Sequence, residues 1–159
     1  MRARAGTFGD FKCAHCDVIV SSAHLLSGVN NRNHCPYCLW SCHLDLYAAG
    51  DRLAACKAPM KPLGLTMKMG RNKYQRDSRG ELMLVHQCTE CKTLSINRIA
   101  ADDDSGTVMV LFQESLKSTH QIYVQCQENG IDILKAGEAK FVYTQLYGRQ
   151  AEIPMLSWK

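Results

Sequence analysis

Cysteine is the residue type in this chain whose number and spacing point most directly to chemistry. Six of the nine cysteines in 159 residues fall into three Cys-x-x-Cys pairs, namely Cys13 with Cys16, Cys35 with Cys38, and Cys88 with Cys91. Two intervening residues let both sulfurs of one tight turn reach the same metal ion, and zinc takes four such ligands as a tetrahedron. Disulfide scaffolds rarely repeat this short spacing, and an odd number of cysteines cannot complete a disulfide framework. The pattern therefore predicts zinc binding.

The first two pairs form a four-cysteine set in which eighteen residues separate Cys16 from Cys35. Two thiolates from each of two turns complete one tetrahedral zinc site. Because a metal-free chain would have to hold four thiolates together unaided, we expect metal binding and folding to be coupled. A redox dithiol is the alternative interpretation, and it would require both pairs to serve that role.

The third pair, at Cys88 and Cys91, needs partners to form a second zinc site. Cys56 lies outside the pairs and outside a predicted helix, so it supplies a third thiolate. The fourth ligand is open among four candidates: His34, Cys42, His43 and His86. His43 is favoured because it lies on the helix predicted after the second pair, from which it could face a neighbouring site. His86 is the main alternative because side chains two apart on a strand share a face. We therefore predict two zinc ions, with Cys42 left as an incidental, small buried residue together with Cys126.

Short elements are predicted around these sites. β-branched residues at 18–20 favour a strand, and helical spacing predicts a helix over 39–49 that stops at Gly50. Two further strands are expected over 65–69 and 81–87.

The acidic run Asp102-Asp103-Asp104-Ser105 is typical of a helix start, and a carboxylate metal site is the alternative. Beyond it we expect a helix, a strand near residues 122–125, a turn at Asn129-Gly130 leading into 131–134, and a last helix over 138–146. The predicted fold is α+β. It consists of a zinc-ribbon-type domain with three knuckles over residues 8–105 and a short α/β extension over 106–159.

Positive charge is concentrated in one segment of a chain whose net charge is only +4. Residues 57–79 contain seven basic side chains and one acidic one. This density indicates an anionic partner, although a solvated loop would have the same composition. We predict that nucleic acid contacts the basic residues Arg32, Lys68, Arg71, Lys73 and Arg76.

No apolar run approaches the ~20 residues that span a bilayer. The basic amino end is not followed by an apolar segment typical of a secretory signal. We expect a cytoplasmic protein with no membrane association.

The string Arg-Asn-His-Cys-Pro-Tyr-Cys-Leu-Trp-Ser at residues 32–41 resembles the signature of the bacterial RNHCP domain family. The knuckle at 11–16, the Gly-Asp-Arg at 50–52 and the Asn-Arg-Ile-Ala at 97–100 agree with it, and the resemblance covers residues 8–105. It implies metal binding at the cysteine and histidine positions, and no particular activity. The hallmark residues Arg32, Asn33 and Arg98 either support the thiolates or reach phosphate and base edges.

Together these features predict a zinc protein with structural sites that binds RNA or another nucleic acid. Tyr37, Trp40 and Tyr74 are candidates to stack on bases. A protein-interaction module is the first alternative. A zinc hydrolase is the second, with an open position on the second zinc and a nearby aspartate as the base.

Overall fold

The computed structural model of the chain describes residues 9–48, 50–51, 53–69 and 80–148. The strands in these residues are β1 Phe11–Lys12, β2 Ile19–Val20, β3 Ser41–Cys42, β4 Pro59–Lys68, β5 Glu81–Cys88 and β6 Leu94–Arg98. The helices are α1 His24–Ser27, α2 Ser105–Ser115, α3 His120–Glu128 and α4 Ala139–Tyr147, the last preceded by a 3-10 turn at Ala136–Glu138. The mixture of helix and sheet confirms the predicted α+β class. None of the helices so described is long and apolar enough to cross a membrane.

An antiparallel sheet in the order β3-β4-β5-β6 forms the centre of the fold, and β1 and β2 pair separately. The long β4–β5 hairpin aligns Met60 with Cys88 at one end and Lys68 with Glu81 at the other. The third knuckle therefore lies at one end of the hairpin. The other end of the hairpin, at Lys68 and Glu81, is about 25 Å away at the usual rise per strand residue.

Strand β5 is buried along most of its length because other elements cover both of its faces. Leu82 and Leu84 belong to a cluster with α2 and α4, whereas Val85 packs in a second cluster with Cys126 and Ile133. Successive residues of a strand point to opposite faces, so this division follows directly from the pleat. It explains why residues 82–85 are apolar without alternation.

Helix α2 approaches the sheet closely where β4 carries a glycine. A Cβ added at Gly64 would lie 2.8 Å from the Cβ of Ser115 at the end of α2. The register of β4 against β5 also shifts between Pro62 and Gly64. Because the main cluster joins Leu65 of the sheet to Phe112 of α2, the residues after 105 pack on the same core as those before it.

Several predicted elements are confirmed. The strands expected at 18–20, 65–69 and 81–87 correspond to β2, β4 and β5. Asp104 caps α2 by accepting a hydrogen bond from the Thr107 N–H, and α4 corresponds to the helix expected over 138–146.

The helix predicted over residues 39–49 is wrong. Leu39 has a left-handed backbone (φ 62°), and Ser41 and Cys42 pair with β4 as strand β3. The strand expected near 122–125 is also wrong, since these residues lie in α3. The Asn129-Gly130 signal ends that helix, with Gly130 at φ 72°, because glycine at a left-handed position closes a helix as readily as it makes a hairpin turn. Strand β6 was not anticipated.

Candidate metal centres

The three Cys-x-x-Cys pairs adopt one backbone structure. A residue with left-handed backbone follows each pair: Asp17 (φ 62°), Leu39 (φ 62°) and Lys92 (φ 63°). The N–H of the first cysteine of each pair donates at 2.9 Å to the carbonyl five residues later, at Val18, Trp40 and Thr93. Non-glycine residues seldom adopt positive φ, so its occurrence after all three pairs shows that the three turns have the same conformation. Each turn brings its two sulfurs together.

The first site joins the knuckles at residues 13–16 and 35–38. Its four sulfurs all lie within 4.8 Å of one another. Cys13 Sγ is 3.6 Å from Cys38 Sγ, and Cys16 Sγ is 3.6 Å from Cys35 Sγ. Zinc–sulfur bonds of about 2.3 Å in a tetrahedron place the sulfurs about 3.8 Å apart, whereas a disulfide would bring them to about 2.05 Å. This set fits a zinc ion.

The second site contains His43, Cys56, Cys88 and Cys91, whose ligand atoms also lie within 4.8 Å of one another. Cys56 Sγ is 3.5 Å from Cys88 Sγ, and Cys91 Sγ is 3.3 Å from His43 Nδ1. His43 is therefore the fourth member of the predicted set. The two groups can hold two zinc ions, which would supply positive charge and a crosslink between distant segments of chain.

Strand pairing brings the members of the second site together. His43 immediately follows β3, and the pairing of Cys42 with Pro59 sets it beside the start of β4. Met60 in turn pairs with Cys88, the last residue of β5 and the first of the third knuckle. The sheet thus assembles a ligand set whose residues are up to 48 positions apart.

His86, the alternative ligand, has a structural role. It is fully buried, its Nε2–H donates to the Leu39 carbonyl at 2.7 Å, and its Nδ1 accepts from Asn97 Nδ2 at 2.9 Å. Burial lowers the pKa of His86 to about 3, so the ring is neutral. Both nitrogens are occupied, and the ring ties the left-handed residue of the second knuckle to the sheet.

Arg32 lies in a buried ion cluster, which favours the role of supporting the knuckle over the predicted contact with nucleic acid. Its side chain has no exposed surface, and its Nη1 is 2.7 Å from Asp102 Oδ2 and its Nη2 3.5 Å from Asp103 Oδ1. His34 Nε2 lies 2.7 Å from the other oxygen of Asp103. The cluster fastens the second knuckle to the segment before α2. Asp102 and Asp103 therefore hold the second knuckle in place. This role differs from the carboxylate metal site that was the alternative interpretation of the acidic run.

Burial disfavours the negative charge of three of the ligand thiols. It raises the pKa of the Cys35, Cys38 and Cys88 thiols, which disfavours the thiolate form that binds metal. The second site also has an exposed side, where the Thr93 hydroxyl and N–H lower the pKa of Cys91 to about 6. A bound zinc ion would offset the cost of the buried negative charge.

The other predicted residues are distributed more widely. Lys68 is exposed at the end of β4, and Arg71, Lys73 and Arg76 lie outside the described residues. Cys126 is buried as expected, whereas Cys42 is half-buried and donates to the Lys57 carbonyl at 3.2 Å.

Sequence reasoning missed the loop clamp at Asp51. Its carboxylate accepts from the N–H groups of Leu46, Tyr47, Ala48 and Leu53 at 2.7–3.0 Å. An aspartate after glycine in a loop is the signal that could have revealed it.

Comparison with known proteins found a match to a family profile. No curated protein and no solved structure matches the chain. The RNHCP domain profile matches residues 8–109, a range that contains both ligand sets and the ion cluster that supports them. On that match, covering well over half of its length, the chain belongs to the RNHCP domain family.

Proposed function

We propose that this protein binds nucleic acid, with RNA as the expected ligand, and that its two zinc sites are structural. The observation that carries the proposal is the concentration of seven basic side chains in residues 57–79, a segment that includes strand β4, whose start lies beside the second zinc site. Lys57, Lys61 and Lys68 are exposed. Within the described part of the chain, Lys61 and Lys68 have no ion pair, whereas Arg98 and Lys117 each contact a glutamate. Unpaired cations of this kind are available to phosphate groups.

Full coordination supports a structural role for the metals. Each site offers four protein ligands, which is the arrangement of structural zinc, while catalytic zinc keeps a position for water or substrate. In this proposal the metals fix the surfaces that bind nucleic acid.

A protein-interaction module is the second candidate, and exposed apolar side chains favour it. Leu25 is 97% exposed and Tyr47 86% exposed, and exposed apolar side chains of this size are able to contact a protein partner. A protein partner would bind with a weaker dependence on salt, because counterion release is specific to polyanions.

Filter binding of single-stranded RNA at several salt concentrations tests the proposal. Replacing Lys68, Arg71 and Lys73 by Gln should weaken binding and reduce the salt slope by about two, since each phosphate contact on a single strand contributes about 0.7. Exposed charges contribute little to stability, so zinc content and thermal stability should not change.

The matched control replaces three lysines of the helical side, Lys117, Lys135 and Lys140, by Gln. This variant loses the same charge and should keep most of its affinity. Equal losses of RNA affinity in the two variants would show that only the net charge of the protein matters, and not the position of the lysines and arginine. Absence of measurable affinity of the wild type for RNA or DNA at low salt would overturn the proposal and favour the protein-interaction module.

A further inference from the structure

A cavity of about 410 Å³ lies between the first knuckle and the start of β4. Its walls include Phe11 and Lys12 of β1, His15 of the first knuckle, Trp40, and Lys57. Small-molecule sites have volumes of about 300–1,000 Å³, so the cavity is large enough for a nucleotide. We infer that it holds one unstacked base of a single-stranded RNA, an inference that rests on the proposed function.

An aromatic pair gives the cavity its affinity for a base. The rings of His15 and Trp40 are parallel to within 5°, with centroids 4.3 Å apart. His15 belongs to the first knuckle, and the Trp40 carbonyl accepts from the N–H of Cys35 in the second. Both rings are thus held by the turns that form the first zinc site. A base in the cavity meets a preformed stacking surface and orders few side chains when it binds.

Charge at the cavity fits a nucleotide rather than a neutral aromatic ligand. Lys12 and Lys57 line it, and among the described residues that line it there is no carboxylate. Lys12 contacts Asp17 at 3.1 Å, but both side chains are largely exposed, and ion pairs of that kind are weak. The ammonium groups are therefore available to the phosphates on either side of a bound base.

The remaining polar groups offer little to identify a particular base. The Arg32 guanidinium is engaged by Asp102 and Asp103, and the Ser41 hydroxyl donates to the Asn33 carbonyl at 3.1 Å. Stacking and phosphate contacts without base-edge hydrogen bonds tolerate any sequence. We expect purines and pyrimidines to bind with similar affinity, and duplexes to bind poorly because their bases are already stacked.

Photocrosslinking locates the bound base. The zinc-loaded full chain is mixed with oligouridine ten nucleotides long that contains one 4-thiouridine, irradiated, digested and analysed by mass spectrometry. Crosslinks should fall on His15, Trp40 or their immediate neighbours, and an excess of unlabelled single strand should suppress them while a duplex of equal length should not.

A pair of charge variants gives an independent measurement. Replacing Lys12 and Lys57 by Gln should weaken binding of the same oligonucleotide about tenfold at low salt. Lys117→Gln with Lys140→Gln removes two lysines of the C-terminal part and should leave the affinity within about twofold. Both doubly substituted proteins should retain two zinc ions, which shows that they are folded.

The outcomes separate this inference from the proposed function. RNA that binds but crosslinks only within residues 61–79 would overturn the cavity assignment and leave nucleic-acid binding intact. A cavity that takes free uridine monophosphate as tightly as the oligonucleotide would also overturn it, because the site would then serve a free nucleotide. A chain without affinity for RNA would overturn both.

Discussion

At the scale of single residues, two histidines show how surroundings decide chemistry. His43 Nδ1 lies 3.3 Å from Cys91 Sγ in a site with an exposed side, whereas His86 is enclosed and has a partner at each nitrogen. The sequence predicted six of the seven cysteine ligands because a Cys-x-x-Cys turn is a local structure, and Cys56 followed because it lies outside the pairs. It could only favour His43 over His86, since that choice depends on the pairing of β3 with β4.

Replacing His43 by Ala should remove one ligand from the second site and lower the zinc content from two ions toward one. The first site shares no ligand with the second, so its zinc should stay. The number of zinc ions per chain is measured with a chromophoric indicator after a thiol-specific reagent has released the metal. His24→Ala, at an exposed histidine outside both ligand sets, is the matched control and should keep two ions.

Two zinc ions in folded His43→Ala protein would contradict this ligand assignment. Cys126→Ala offers a further comparison, because it removes a buried thiol that belongs to neither site and should not change the zinc content.

At the scale of elements, the segment after the second knuckle shows why periodicity misled the prediction. Residues 39–49 carry apolar side chains at helical spacing, but a left-handed Leu39 and the pairing of β3 direct the chain elsewhere. The carboxylate of Asp51 holds the loop that follows. It accepts hydrogen bonds from backbone N–H groups, of which that of Ala48 has the largest effect, and these keep the pKa of the carboxyl well below its ordinary value. Tertiary hydrogen bonds outweighed a weak helical pattern here.

Asp51→Asn should loosen this loop without releasing zinc. An amide offers one acceptor oxygen in place of a carboxylate that accepts four N–H groups. Hydrogen exchange at Leu46, Tyr47 and Ala48 should become faster by about tenfold. Asp132→Asn, the same change at an exposed position in the C-terminal part, should leave these amides as protected as in the wild type. Unchanged exchange in Asp51→Asn would contradict the clamp.

At the scale of the whole molecule, one hydrophobic core joins the metal-binding part to the C-terminal helices. Leu39 of the second knuckle, Leu84 of β5 and Phe112 of α2 belong to one cluster. No cysteine pair occurs after Cys91, and on that basis the sequence predicted an end of the zinc-binding domain near residue 105. It gave no signal that the later helices cover the sheet, because the contacts of β5 with α2 and α3 join residues far apart in the chain.

Phe112→Ala tests this shared core. The side chain is fully buried, so its removal should lower the free energy of unfolding by about 3–5 kcal/mol in zinc-containing buffer, measured by urea denaturation. Val110→Ala changes an exposed residue of the same helix and should cost less than about 1 kcal/mol. A loss below about 1 kcal/mol for Phe112→Ala would show that α2 adds little to the fold.

Native mass spectrometry of the full chain, purified without added metal, tests the two zinc sites most directly. Seven thiols and one imidazole in two tetrahedral sets predict a folded species whose mass exceeds that of the reduced chain by two zinc ions, less the protons they displace. A disulfide would instead lower the mass by two hydrogens. A folded chain at the metal-free mass, or one that carries disulfides in place of zinc, would contradict the account.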